Sequence, residues 1–312
     1  MITRILIRIK VVQMLYSYLL TREGRTVTDA QKELSKSLDK SYELYISMLA
    51  LMIDLTDYHD TRLDMAKNKY LPTESDMNPN TRLADNKFIA KLRENDDLIA
   101  FLEETPISWK DEIIFMKLMH DKIVNSDIYQ KYMDAEEAGF AEDCNFWRNI
   151  MKELVFQDDD FLEMLESKSV YWNDDLGVMG TFVLKTIKQY ASNPETATIQ
   201  PKYNPDNTDD SVFGEQLFDC AVRENAENND IIDRFIQKEQ WDAERIALMD
   251  RIILGVALSE VKNFDSIPTK VSMNEYIEIA KFYSNPKSGQ FINGIMTSAI
   301  SYLRDSGRIN KD

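Results

Sequence analysis

The chain has 312 residues, with 37 Lys and Arg against 54 Asp and Glu (net charge −17), 44% hydrophobic residues, nine Gly and eight Pro. A chain of this size buries one large core or two modest ones, and so little Gly and Pro predicts a mostly helical protein. The acidity excludes a protein that holds nucleic acid by overall attraction, and no apolar run approaches the roughly 18 residues of a membrane span.

The charge is uneven. Residues 1–25 carry five basic and one acidic residue, and residues 265–312 carry six and five, so the 239 residues between them hold −22. Both ends are locally compatible with phosphate and the middle is not. Arg4, Arg8 and Lys10 interrupt the apolar N-terminus and no small-residue cleavage site follows, so no signal peptide is expected. Cys144 and Cys220 stand alone, without a C-x-x-C, as inert thiols of a reducing cytoplasm do.

From Ile5 to Leu20 the alternating β-branched residues Ile5, Ile7, Ile9 and Val11 favour a strand locally. The run continues without a turn signal beyond the length of a typical strand, so a helix is the better reading. Such a helix sets Arg4 and Arg8 one turn apart on one face, with Ile5, Ile9, Val12 and Tyr16 beside them.

Amphipathic segments recur over 29–66, 86–103, 108–133, 146–168, 174–191 and 213–239, with apolar spacing clearest at Tyr42, Tyr45, Leu49, Met52 and Ile53. Breaks fall at Leu71-Pro72 through Pro79, at Thr105-Pro106, and over Ser192 to Ser211, the best linker. Trp109, Trp172 and Trp241 each open an acidic tetrapeptide before an apolar run. Their spacing raises a repeat, in which 146–190 copies the helix pair at 213–262, against chance likeness of acidic helices.

No phosphate-cradling glycine loop occurs, and His59 and His120 are the only histidines, so neither a cofactor nor a metal centre nor an enzyme is expected. Asp158 to Asp160 and Asp206 to Asp210 read as solvated caps before helices. The second run lacks a calcium loop's glycine, and Leu217 stands where its twelfth-position Glu belongs.

The stretch from Trp241 to Gly294 is the most specific. Pro268 biases Ile267 to extended backbone, so the helix before it ends upstream. Ser272 with Glu275 forms an S-x-x-E capping pattern, and Ser288 is placed to cap the last helix. In their order these pieces resemble the NusB family of transcription antitermination factors. The resemblance is carried by Glu244-Arg245-Ile246, Asp250-Arg251, Glu260, Ile267-Pro268, Lys270-Val271, Asn274-Glu275, Glu278, Ala280-Lys281, and Ser288 with Phe291-Ile292-Asn293-Gly294. It covers 212–304 well and 1–25 moderately, and NusB proteins are usually less than half this length.

The resemblance implies an all-α fold: a NusB-like pair of helical bundles with an additional helical insertion. Residues 1–28 supply the basic first helix, 29–205 the helical region with the acidic insertion, and 206–312 the C-terminal bundle. It implies a non-enzymatic, cytoplasmic RNA-binding factor that, with NusE (a small-subunit ribosomal protein), recognises single-stranded boxA RNA of rRNA operons. That pair would act on the RNA polymerase elongation complex indirectly and support rRNA transcription and processing.

Carried over, Arg4, Arg8 and Lys10 contact phosphate and Tyr16 shares their face, with Lys287, Ser288, Gln290 and Phe291 as a second wall. Ser288 would present a helix N-terminus to phosphate and Phe291 a ring for stacking. Tyr16 and Phe291 read equally as packing, and Asn293-Gly294 as a close helix approach. Asp250 and Arg251 are the NusE-facing polar residues, or else pair on a solvated face. The N-terminal arginine tract of many NusB proteins is thinned here, which predicts modest, salt-sensitive RNA affinity. Two alternatives are an acidic helical protein-interaction scaffold with reduced RNA binding and the NusB-like domain of an rRNA methylation system; for the latter, no cofactor loop or catalytic-cysteine motif follows residue 304.

Overall fold

A computed structural model describes residues 1–21, 24–136, 139–204, 209–238, 247–285 and 287–311. Trp241, Glu244, Arg245, Ile246 and Asp206 lie outside the described residues. Among the described residues there is no strand, and the fold is all-α. The chain forms two compact units. One comprises 2–38 and 203–312, the other 39–202 with Met1. The first helix falls in the same unit as the C-terminal bundle, and the divisions between the units fall at 38/39 and 202/203.

The first unit holds α1 (Arg4–Leu20), the opening of α2 (Val27–Lys67), α11 (Asp209–Arg223), α12 (Asn225–Lys238), α13 (Leu248–Asn263), α14 (Thr269–Tyr283) and α15 (Ser288–Asp305). α1 is a helix despite its β-branched residues, because both sides of it are covered: Leu6, Ile7, Val11, Val12 and Leu15 are all buried. Tertiary burial overrides the local preference. α2 starts with a capping box, in which Asp29 N–H donates to Thr26 Oγ1 (3.1 Å) and Thr26 N–H to Asp29 Oδ2 (3.2 Å).

α13 is the axis of this unit. Eleven of its sixteen residues are buried, from Asp250 to Val261, and α1, α11, α12, α14 and α15 all pack on it. A helix buried on nearly every side must be apolar on nearly every side, which makes its buried Asp250, Ser259 and Glu260 informative. Asn228 of α12 clamps it by donating to Gly255 O (3.0 Å) and Ser259 Oγ (2.8 Å). At Gly214 of α11 a Cβ would stand 2.8 Å from Ile7 Cγ2, so glycine is what lets α1 lie so close.

Two caps differ from the sequence reading. α14 begins at Thr269 directly after Pro268, so Ser272 lies inside the helix and Ser272-Glu275 is not its capping box. α15 begins at Ser288, whose hydroxyl makes no helix cap. In both cases the serine hydroxyl serves a buried carboxylate instead. The expected close approach at Asn293-Gly294 is also absent: both are exposed, and a Cβ on Gly294 would meet nothing within 4 Å.

The second unit holds the rest of α2, then α3 (Glu74–Met77), α4 (Lys87–Arg93), α5 (Asp96–Glu104), α6 (Ile113–Val124), α7 (Asp127–Asp134), α8 (Phe140–Asn149), α9 (Asp159–Lys168) and α10 (Leu176–Ser192). Between α8 and α9 the chain makes a π turn at Ile150–Leu154 and a 3₁₀ turn at Val155–Gln157. Segments read as single helices are divided where polar caps intervene. Asn95 accepts from Leu98 N–H, separating α4 from α5, and Ser126 accepts from Tyr129 N–H, separating α6 from α7. Asp158 is the cap of α9 and, with Asp160, holds Lys122, which fits the reading of that run as a cap.

The proposed repeat rests partly on Trp241, which lies outside the described residues; where both halves are described, α9 packs on α6 while α12 packs on α13. What Trp109 and Trp172 share is a docking partner. Their indole N–H groups donate to the carbonyls of Ser47 and Lys40, both at 2.8 Å, two turns apart on α2. Tyr45 is wholly buried on the same helix and joins Thr186 Oγ1 (2.7 Å) and Gln200 N–H (2.9 Å). His59 and His120 also meet here, Nδ1 to Nε2 at 3.0 Å, and both are buried. Burial, then the charge of His120, pushes the pKa of His59 down to about 4.

Candidate functional site

The expected site residues lie in the first unit, at two places along α13. At one, Arg8 of α1 points inward. Its Nε donates to Glu260 Oε2 (2.7 Å) and its Nη2 to Glu260 Oε1 (2.8 Å), a planar two-pronged pair. Glu260 accepts further bonds from Ser272 Oγ (2.7 Å) and Tyr276 OH (2.9 Å). Arg8 is 3% exposed and Glu260 0%. Burial alone lowers the guanidinium pKa, but hydrogen bonding to Glu260 and that residue's charge leave it raised overall, so the cation persists. Burial and the carboxylate of Glu260 raise Tyr276 well above its usual value, so it remains a donor.

Arg8 is thus corrected from a phosphate contact to a buried tie of α1 to α13 and α14. Lys10, 4% exposed, is also too buried to serve as the expected phosphate contact. Arg4, one turn before, stays accessible. Its side chain is 29% exposed, its Nε donates to Asp210 Oδ1 (2.7 Å), and its guanidinium lies over the ring of Phe213 at 5.2 Å. Tyr16 is half-buried.

At the other place Ser288, 1% exposed, donates to Asp250 Oδ2 (2.9 Å). Its hydroxyl fixes the start of α15 against the start of α13. Phe291 is buried at 5% exposure, which corrects the stacking role. Lys287 and Gln290 flank these two and are exposed. The alternation is helical: Ser288 and Phe291 face in, while Lys287 and Gln290 face out. Asp250 and Arg251 do not pair with each other. Asp250 is buried under Ser288, while Arg251 reaches Asp233 Oδ1 of α12 at 2.8 Å and remains partly exposed. Asp250 is accordingly corrected from a partner contact to an internal one.

The two places are anchored to one helix ten residues apart, at Glu260 and Asp250. At about 1.5 Å per residue this is about 15 Å of α13. The expected residues that stay accessible are Arg4, Lys287 and Gln290, with Tyr16 half-buried; their side-chain types suit phosphate contacts and an amide that reads a base. The network around Glu260 was not expected from the sequence. The available signal was an acid in the middle of L-G-V-A-L-S-E-V, an otherwise apolar helix.

The NusB family model matches residues 180–301. Over 99 residues the chain is 41% identical to the transcription antitermination protein NusB of Salinibacter ruber, covering 32% of this chain and 61% of that one. It is 37% identical over 106 residues to the transcription antitermination protein NusB of Bacillus thuringiensis, covering 33% of this chain and 82% of that one. The chain belongs to the NusB family. Relative to S. ruber NusB the matched segment spans under two thirds of the relative's length. No solved structure matches the chain. The NusB match takes in most of α10, α11 to α14 and most of α15, and so the helices that carry Glu260, Ser272, Tyr276, Asp250 and Ser288. Most of the second unit lies outside it.

Proposed function

We propose that this chain is a non-enzymatic antitermination factor that binds boxA-type single-stranded RNA together with NusE and acts on the RNA polymerase elongation complex through that assembly. Its operon targets are those of rRNA, whose transcription and processing it supports. The observation that carries the reading is the NusB match over the bundle built on α13.

The RNA-facing residues are Arg4, Lys287 and Gln290, with Tyr16 beside them. Arg8, Lys10, Ser288 and Phe291 support that surface from beneath. Arg251 is the remaining candidate for the NusE face. Because so few cations are accessible, the affinity of the free protein is modest, and the joint surface with a basic partner supplies the rest.

The test is a mobility-shift titration of boxA and a scrambled oligonucleotide, with and without NusE, across a salt series. The reading expects preference for boxA, tighter binding with NusE, and steep loss with salt. Equal binding of both oligonucleotides with NusE present would sink it.

A further inference from the structure

The second unit carries 18 basic and 32 acidic residues, a net charge of −14, against −3 in the first. Within it, α6 and α9 enclose an open groove of about 780 Å³. The groove is apolar where folding does not require it. Ile113 and Ile114 stand in the first turn of α6 at 70% and 78% exposure, Leu118 follows one turn on at 43%, and Met164 faces them from α9. Isolated exposed apolar residues are ordinary; several lining one trough between two helices mark a contact surface.

Asp111 and Glu163 stand on the rim, exposed, with no ion pair among the described residues. The other two rim carboxylates are already neutralised, Glu112 by Lys168 (2.7 Å) and Asp160 by Lys122 (2.7 Å).

From this arrangement we infer that the α6–α9 groove is a docking site for a cationic amphipathic helix of another protein. The charge decides the partner. Nucleic acid is repelled by the rim and by the unit as a whole. A second copy of this chain would oppose carboxylate to carboxylate, since a two-fold contact sets a patch against itself. A basic segment gains from the same field, and Asp111 and Glu163 can each pair with a Lys or Arg beside its apolar face. Both walls are helices and offer no strand edge to extend, so an inserted helix, with apolar residues every third or fourth position, fits the trough.

The experiment uses the full chain and a synthetic Leu/Lys peptide of about four helical turns with its leucines on one face, followed by fluorescence anisotropy. A peptide of the same composition with shuffled order is the comparison. Saturable binding of the amphipathic peptide alone is expected, weakened about tenfold by Ile114→Asp and several-fold by Glu163→Lys, with Glu74→Lys outside the groove near wild type. Ile113→Asp serves as a second variant. Both isoleucines are exposed, and circular dichroism checks that the variants keep their helices. Equal binding of the shuffled peptide, unchanged binding by both aspartate variants, or a self-associated wild type that Ile114→Asp renders monomeric would each overturn the proposal.

Discussion

Arg8 and Glu260 face each other through two parallel hydrogen bonds in the interior of the first unit, 252 residues apart in sequence. A buried ion pair of this kind is a weak source of net stability but a large liability once halved. Arg8→Ala or Glu260→Ala is therefore expected to cost about 3–5 kcal/mol in urea unfolding. Replacing both by apolar residues of similar volume should cost clearly less than either single change. A single alanine variant with wild-type stability would show that the pair does not hold α1 in place.

The exposed cations should behave in the opposite way. Lys287→Glu is expected to leave the unfolding free energy within about 0.5 kcal/mol of wild type, as surface changes do, whereas Arg4→Gln gives up the pair with Asp210 and is expected to cost about 1 kcal/mol. Each should weaken boxA binding in the presence of NusE and reduce the slope of log affinity against log salt by about one for each phosphate no longer neutralised. Binding and salt dependence that match wild type in both variants would remove this surface from the RNA interface.

The two histidines give the second unit a pH dependence with a defined sign. Both have depressed values in the folded state, His59 to about 4, against about 6.5 when unfolded. The unfolded chain therefore binds the proton first, and stability falls as pH drops from about 6.5 toward 4. For His59 the slope is at most about 1.4 kcal/mol per pH unit. His59→Leu should flatten stability against pH across this window, measured by urea unfolding at stepped pH. An unchanged profile would show that the pair does not remain neutral in the fold.

Gly294 lies inside α15 with open space where a Cβ would stand. Gly294→Ala is expected to raise stability by about 0.5–1 kcal/mol, since glycine in a helix interior is costly and nothing is displaced here. A loss of stability in thermal unfolding would mean that a packing demand acts at this position.

Much of the first unit was legible because its signals were local. Ile267-Pro268 ends one helix, Asp250 and Ser288 stand at helix starts, and the apolar run before Glu260 marks the axis. What the local pattern could not give was direction. Arg8 and Arg4 share a helix face in sequence terms, yet one turn of difference carries Arg8 under α13 and leaves Arg4 at the rim. Ser272 and Ser288 looked like caps because serine usually is one there. A buried carboxylate within reach of each took the hydroxyl instead. The tryptophans suggested a repeat because a docking residue and a repeat marker look alike in sequence. Their common partner on α2 becomes visible only when the carbonyls of Lys40 and Ser47 are located.

The 252-residue separation of Arg8 from Glu260 also sets an order of events on the ribosome. At about 5–20 residues per second, roughly 10–50 s pass between synthesis of the arginine and of its carboxylate. Until α11 follows at 209–223, the apolar side of α1 has no partner in its own unit beyond the opening of α2, and by then the whole of 39–202 has been made. The nascent chain must therefore carry an unsatisfied apolar helix for at least as long as the inserted unit takes to emerge.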